Sequence, residues 1–360
     1  MNTSDLHIIS NPLFAKKSDK PFLIAGPCSA ESRAQVLETG RAIAAKGDAS
    51  IFRAGVWKPR TRPGSFEGIG EPALAWLQEL KAETGMPVAT EVANAQHVEA
   101  CLKNNIDYLW IGARTTVNPF YVQEIAEALR GVDIPVLVKN PLHPDIGLWI
   151  GALERFNKCG INQLMAIHRG FYSYEAAPYR NVPKWDLAIK LKRSIPNLPI
   201  ICDPSHIAGD ANLISEISQI ALDLDMDGLM IESHCDPKSA LSDAKQQITP
   251  DVLHQLMSDL NMPKATHESD TFNMNLNNMR SVIDKYDDEI LNVIQKRMEL
   301  VAEIGKAKKE NNIMTFQIQR FFDILKTRKS TGLDLGLSKE MVHELFELIH
   351  KHSINIQNKI

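Results

Sequence analysis

A closed (β/α)8 barrel followed by an all-α helical domain is the architecture this sequence predicts. Eight short apolar, β-branched runs recur between stretches of helical pattern across residues 22–232. Strands that alternate with helices pair in parallel, and near-continuous apolar strands belong to a sheet covered on both faces. Reactive side chains gather at the C-terminal ends of those runs, which is the rim where barrels carry their chemistry. Beyond residue 272 the runs cease and apolar residues take up helical spacing.

The runs are 22–26, 50–53, 87–90, 108–112, 135–139, 164–168, 199–202 and 228–232. Between successive runs there is room for one helix and two loops. No glycine-rich dinucleotide loop follows the first run, which argues against an open doubly wound sheet. The expected division is a barrel over 1–260, a polar linker over 261–272 that contains Pro263, and a helical domain over 273–360.

Composition removes several classes of function. A net charge of −4 gives no global basic field, so neither nucleic acid nor a membrane surface is expected as a partner. The N-terminal stretch lacks the basic start and apolar run of a signal peptide, and no 18-residue apolar stretch occurs. The five cysteines form no CxxC pair and read as reduced thiols, so the expected location is cytoplasmic.

The strand-end residues are Cys28, Arg53 with Lys58, Glu91, Arg114, Lys139, Arg169, His206 and Glu232. Arg53, Lys58, Arg60, Arg114, Lys139 and Arg169 are cations. One such residue is ordinarily a solvated surface charge. Six at the strand ends of one barrel call for anions, with phosphate and carboxylate the obvious ones. Cys28, His206, Glu232 and Asp243 form a second set. A thiolate, an imidazole and two carboxylates suit a borderline divalent metal such as Mn, Fe, Co or Zn.

The stretches holding these residues are GPCSAE (26–31), FRAGVWKPRT (52–61), IGAR (111–114), VKNP (138–141), HRG (168–170), DPSH (203–206), IESH (231–234) and LSDAKQQ (241–247). In that order they resemble the type I beta synthases of 3-deoxy-D-arabino-heptulosonate 7-phosphate (DAHP). The resemblance implies condensation of phosphoenolpyruvate with erythrose 4-phosphate, the first step of the shikimate pathway. It implies Cys28, His206, Glu232 and Asp243 as metal ligands, and Arg53, Lys58, Ala113, Arg114, Lys139 and Arg169 around phosphoenolpyruvate. Lys58 is the natural proton donor, and Arg60 with Thr61 should hold the phosphate of erythrose 4-phosphate. Arg62-Pro63-Gly64 follows KPRT where the family often has Ser-Pro. A Schiff-base aldolase using Lys139 would need no metal set. The sister synthase acting on arabinose 5-phosphate carries a different loop in place of KPRT.

The C-terminal region reads as helices over 273–310, 316–330 and 338–359. Leu276, Met279, Ile283, Tyr286, Ile290, Ile294, Val301 and Ile304 form an apolar stripe on the first of these, which spans roughly 55 Å. Two shorter helices cannot cover such a stripe, so a homodimer is expected. Arg297 and Lys308 fall on the same face, roughly 16 Å apart, with few acids to pair them, and an anionic ligand would satisfy both. Ser353 and Gln357 share one face of the third helix.

Met279-Arg280, KRMEL (296–300), GKAK (305–308), Gln319-Arg320 and the Ser353/Gln357 pair resemble the all-helical chorismate mutases. The resemblance implies rearrangement of chorismate to prephenate. Arg280 (from a partner chain) and Arg297 would hold the carboxylates, Lys308 and Gln357 the ether oxygen, and Arg320 and Ser353 would line the pocket. The family usually places acids near positions 317 and 321 to meet the substrate hydroxyl, whereas this chain has Gln317 and Phe321. The mutase site is also expected to give feedback control of the barrel, with prephenate as the ligand; the alternative is a catalytically silent helical module that dimerises or regulates the barrel.

Overall fold

The computed structural model describes residues 6–9, 21–59, 64–174, 178–263 and 269–360. It divides into two compact units, Met1–Pro263 and Lys264–Ile360. In the first, the elements run β1 (Phe22–Gly26), α1 (Arg33–Lys46), β2 (Ile51–Arg53), α2 (Leu74–Thr84), β3 (Val88–Val92), α3 (Ala95–Lys103) and β4 (Tyr108–Ile111). They continue through α4 (Ala113–Thr116), α5 (Pro119–Ala128), β5 (Val136–Lys139), α6 (Ile146–Lys158), β6 (Leu164–His168) and α7 (Trp185–Ser194). The last are β7 (Ile200–Cys202), α8 (Pro204–Ala208), α9 (Ile214–Asp223), β8 (Gly228–Glu232) and α10 (Pro250–Asp259). The strands close in sequence order, every pairing parallel, and β1 meets β8 with Phe22 opposite Gly228 and Gly26 opposite Glu232.

Two hydrophobic clusters follow from the two-residue period of a strand. Ile24, Ile51, Ala89, Trp110, Leu137, Met165, Ile201 and Met230 point inward and fill the barrel. Their neighbours Leu23, Phe52, Val88, Val136 and Leu229 point outward and pack beneath the helices. The same parity decides the site. Two residues beyond each inward apolar residue comes Arg53 after Ile51, Glu91 after Ala89, Lys139 after Leu137 and Glu232 after Met230, so these four crown the interior at its C-terminal end.

Helix ends are capped locally. Ser32 accepts from the Gln35 amide at the start of α1, and Gly47 at φ 70° terminates that helix. Of the barrel glycines, Gly26 is the most constrained. Its φ is +147°, and a Cβ there would stand 2.1 Å from the Arg53 carbonyl oxygen.

The second unit comprises α11 (Asp270–Glu310), α12 (Ile318–Asp334) and α13 (Lys339–Gln357). Ser269 and Ser338 cap α11 and α13 by accepting from the Phe272 and Met341 amides. Gly305 lets α11 approach α13, since a Cβ there would meet Gln357 Cγ at 3.0 Å. Of the apolar stripe on α11 only Val301 is buried; Met279, Ile283, Tyr286 and Ile290 are each more than half exposed within one chain. No helix among the described residues is long and apolar enough to cross a membrane.

Gly26→Ala should lower the stability of the barrel by about 2–4 kcal/mol through strained backbone and the clash with Arg53. All five tryptophans, Trp57, Trp76, Trp110, Trp149 and Trp185, lie in the first unit. A urea titration followed by tryptophan fluorescence therefore reads that unit; an unmoved midpoint contradicts the assigned strain.

Candidate active sites in the barrel mouth and the helical unit

A cavity of about 550 Å³ opens at the C-terminal end of the barrel, lined in part by Lys58, Glu91, Arg114, Lys139, Arg169 and His206. Behind the lining residue Glu91 lies Trp110, fully buried, whose indole Nε1 donates to Glu91 Oε2 at 3.0 Å. The Arg53 guanidinium lies 4.8 Å and the Lys139 ammonium 5.9 Å from that ring. A low-dielectric ring beside two cations strengthens their attraction for an anion.

Arg53 is the strongest signal. It is 1% exposed and pairs with Glu232 at 3.2 Å, yet its Nε and Nη1 are buried with no hydrogen-bond partner. Unsatisfied buried guanidinium donors are costly, and an anion arriving from the cavity removes that cost. Lys139 pairs with Asp203 at 2.8 Å, but burial outweighs the pairing and lowers its pKa. Burial also brings Arg169 down to about 10; its Nη1 donates to Asn181 Oδ1 at 2.6 Å. Ala113 and Arg114 begin the short helix α4 on the same wall.

Beside these cations lies a cluster of metal-ligand type. The donor atoms of Cys28, Glu232 and Asp243 all lie within 4.8 Å of one another. The Cys28 thiol is 3.4 Å from Asp243 Oδ2, and His206 Nε2 is 3.7 Å from Glu232 Oε1. Burial, reinforced by Glu232, pushes Cys28 up to about 12. A divalent cation would reverse that balance and hold the thiolate. Glu232 Oε1 makes no hydrogen bond among the described residues beyond its 3.2 Å ion pair with Arg53, while Oε2 accepts from Gln246 at 2.7 Å, so Oε1 is the oxygen that would ligate. The donor set and its spacing fit one divalent ion.

Asp203 orients the imidazole. It is fully buried, accepts from the His206 amide at 3.0 Å, and stands 2.9 Å from His206 Nδ1. Burial pushes its carboxyl up, but His206 and Lys139 outweigh burial and hold it well below the usual carboxylate range. A carboxylate on Nδ1 fixes the proton there and leaves the Nε2 lone pair for the cluster.

Sequence reasoning placed Cys28, Arg53, Lys58, Ala113, Arg114, Lys139, Arg169, His206, Glu232 and Asp243, and the structure brings them to one mouth. Arg60 and Thr61 lie outside the described residues. Three residues of the mouth were not singled out. Asp203 was legible as the first residue of DPSH, whereas Asn181 and Arg180 lie in an irregular segment with no periodicity to place them. Arg180 donates to Asp243 Oδ1 at 3.1 Å and to Gln246 Oε1 at 2.7 Å.

In the helical unit, half-buried Arg297 donates to Ser353 Oγ at 2.7 Å, joining α11 to α13. Lys308 donates to the Thr315 carbonyl at 2.8 Å. Gln357 Oε1 is buried without a hydrogen-bond partner. After burial itself, Arg297 and Lys308 both depress the pKa of His350 on α13, so both cations lie within electrostatic range of that ring. Arg280 and Arg320 stay exposed. Arg280 precedes Arg297 by 17 positions, roughly 25 Å along α11 and beyond reach of the same pocket in one chain.

Known proteins bear on both units. Residues 8–267 match the DAHP synthetase I family, and residues 279–358 match chorismate mutase type II. Phospho-2-dehydro-3-deoxyheptonate aldolase of Thermotoga maritima is 30% identical over 239 residues, covering 66% of this chain and 68% of that protein. 2-Dehydro-3-deoxyphosphooctonate aldolase of Helicobacter pylori is 27% identical over 291 residues, covering 68% of this chain and 95% of that protein. The crystal structure of the Thermotoga maritima DAHP synthase superposes with a TM-score of 0.60 at 29% identity, covering 67% of this chain and 68% of that one.

If Asp203 sets the tautomer of His206, Asp203→Asn should weaken binding of Mn²⁺ by about 10–100-fold, read by titration calorimetry. Undiminished affinity would show that His206 is oriented without it.

Proposed function

The chain belongs to the DAHP synthetase I family and carries a chorismate mutase unit, and from that premise we propose how each site works. In the barrel, carbon 3 of phosphoenolpyruvate bonds to the aldehyde carbon of erythrose 4-phosphate, water adds at carbon 2, and the carbon 2–oxygen bond to phosphate breaks. Arg53, Lys58, Ala113, Arg114, Lys139 and Arg169 hold phosphoenolpyruvate, and Arg60 with Thr61 the phosphate of the aldehyde. The unpartnered Nε and Nη1 of Arg53 carry this reading, because nothing among the described residues answers them. Both substrates are anions, and charge shifts onto phosphate and carboxylate as the bonds change, where fixed cations stabilise it. Lys58 is the proton donor to the aldehyde oxygen.

Cys28, His206, Glu232 and Asp243 would hold the metal, which when bound supplies Lewis-acid polarisation of the aldehyde. The native ion belongs among Mn, Fe, Co and Zn. Phosphate release from the two substrates should stop with EDTA and return with added Mn²⁺, Co²⁺ or Zn²⁺. Full activity in excess chelator, or borohydride trapping of substrate on Lys139, would overturn the assignment.

In the helical unit chorismate rearranges to prephenate, a reaction that needs no metal, acid or base. It needs the substrate held compactly and donors at the oxygen gaining charge. Arg297 takes one carboxylate, Lys308 and Gln357 the ether oxygen, and Ser353 and Arg320 the pocket wall. A second copy covers the exposed stripe on α11 and brings its own Arg280, so the working form is a homodimer, placed in the cytoplasm.

The mutase pocket is also the sensor for the barrel. Prephenate, bound there, lowers synthase activity. A coupling of about 1–3 kcal/mol suffices, and it requires that prephenate distinguish two states of the chain. Prephenate should inhibit the full chain's synthase, and Arg297→Ala should abolish that inhibition. Inhibition that survives the substitution would locate the sensor elsewhere.

A further inference from the structure

Chorismate carries a ring hydroxyl besides its two carboxylates and ether oxygen. The residues assigned above answer the carboxylates and the ether but leave the hydroxyl without a partner. Gln317 is exposed at the start of α12, and Phe321 has no polar atom. Phe321 instead stacks on the imidazole of His350, centroids 4.3 Å apart and planes 29° from parallel. Phe316 meets the same imidazole edge-on at 5.7 Å. His350 precedes Ser353 by three residues and Gln357 by seven on α13, so the three share one face. Its Nε2 is buried with no hydrogen-bond partner among the described residues.

Such an atom, on the face that bears Ser353 and Gln357, requires a ligand group that can hydrogen-bond. Burial, Arg297 and Lys308 all lower the pKa of His350, and no acid raises it, so the neutral ring is favoured. A neutral imidazole offers one N–H and one lone pair, which matches a hydroxyl, itself both donor and acceptor. An acid at position 321 would pair with the ring and charge it; Phe321 fixes its plane and leaves it neutral.

We propose that His350 is the partner of the substrate's ring hydroxyl, positioned by Phe321, so that hydroxyl recognition in this unit resides on α13. This assignment rests on the mutase reading.

The test compares chorismate with an analogue lacking the ring hydroxyl, using the full chain. The wild type should prefer chorismate by about tenfold in kcat/KM, the ratio expected for one neutral hydrogen bond. His350→Ala should bring that ratio toward unity, and His350→Gln, which keeps a donor and an acceptor, should restore part of it. If His350→Ala does not fold, the ratios of the wild type and His350→Gln decide. A wild type that does not discriminate, or a His350→Ala ratio equal to the wild type's, overturns the assignment while the mutase stands. Loss of the preference in Gln317→Ala alone would overturn it in favour of Gln317. A wild type that turns over neither compound overturns the mutase reading itself, and the assignment with it.

Discussion

The barrel turns on a buried charge cluster that the folded chain does not fully satisfy. Arg53 and Glu232 are 3.2 Å apart and removed from water. Taking two such ions out of solvent costs several kcal/mol each, and their attraction offsets that cost only with further hydrogen bonds. Here the further bonds are incomplete, since Arg53 Nε, Arg53 Nη1 and Glu232 Oε1 have none. The unmet capacity serves two neighbours of one pair: the guanidinium beside the cation-rich cavity, the carboxylate beside the thiol and imidazole of the metal-type cluster. Strain of this kind is stability withheld from the fold and retained for ligands.

The scaffold makes that cluster affordable by placing it at the end of an interior already dense with apolar side chains. Ile24, Trp110, Leu137 and Met230 fill the barrel below, and the fully buried Trp110 forms the boundary between core and site. Asp203 is held ionised by the charges around it, so its negative charge is available to both Lys139 and His206. One carboxylate therefore couples a cation of the cavity wall, Lys139, to the His206 imidazole beside the metal-type cluster.

Much of this was legible in the residue order because strand parity is a rigid rule. Once Ile51, Leu137 and Met230 are recognised as inward, Arg53, Lys139 and Glu232 must be inward too. Glu91 shows the limit: the run was read as ending at Thr90, while β3 continues to Val92, so Glu91 lies within the strand and not beyond it. Asn181 and Arg180 reach the site from an irregular segment, where no period assigns a side chain to a face. In the helical unit, spacing found the face holding Arg297 and Lys308. The stripe around them proved exposed in the single chain, because burial depends on neighbours that helical spacing does not specify. The Phe321–His350 stack joins residues on two different helices, and no local pattern in either segment announces it.

The two sites resolve the same electrostatic problem by opposite means. In the barrel, cations and anions are interleaved at close range, as suits a reaction that forms a carbon–carbon bond and releases phosphate near one point. In the helical unit, Arg297 and Lys308 both act on the His350 imidazole, and no acid acts on that ring. The two cations stand roughly 16 Å apart along α11, too far to repel strongly, and burial alone lowers the pKa of Arg297. A bound dianion would supply counter-charge to both, so occupancy changes the electrostatics of the helical unit. That is the physical property a binding site needs if its filling is to be felt elsewhere in the chain, since only a ligand with differential affinity for two states can shift the balance between them.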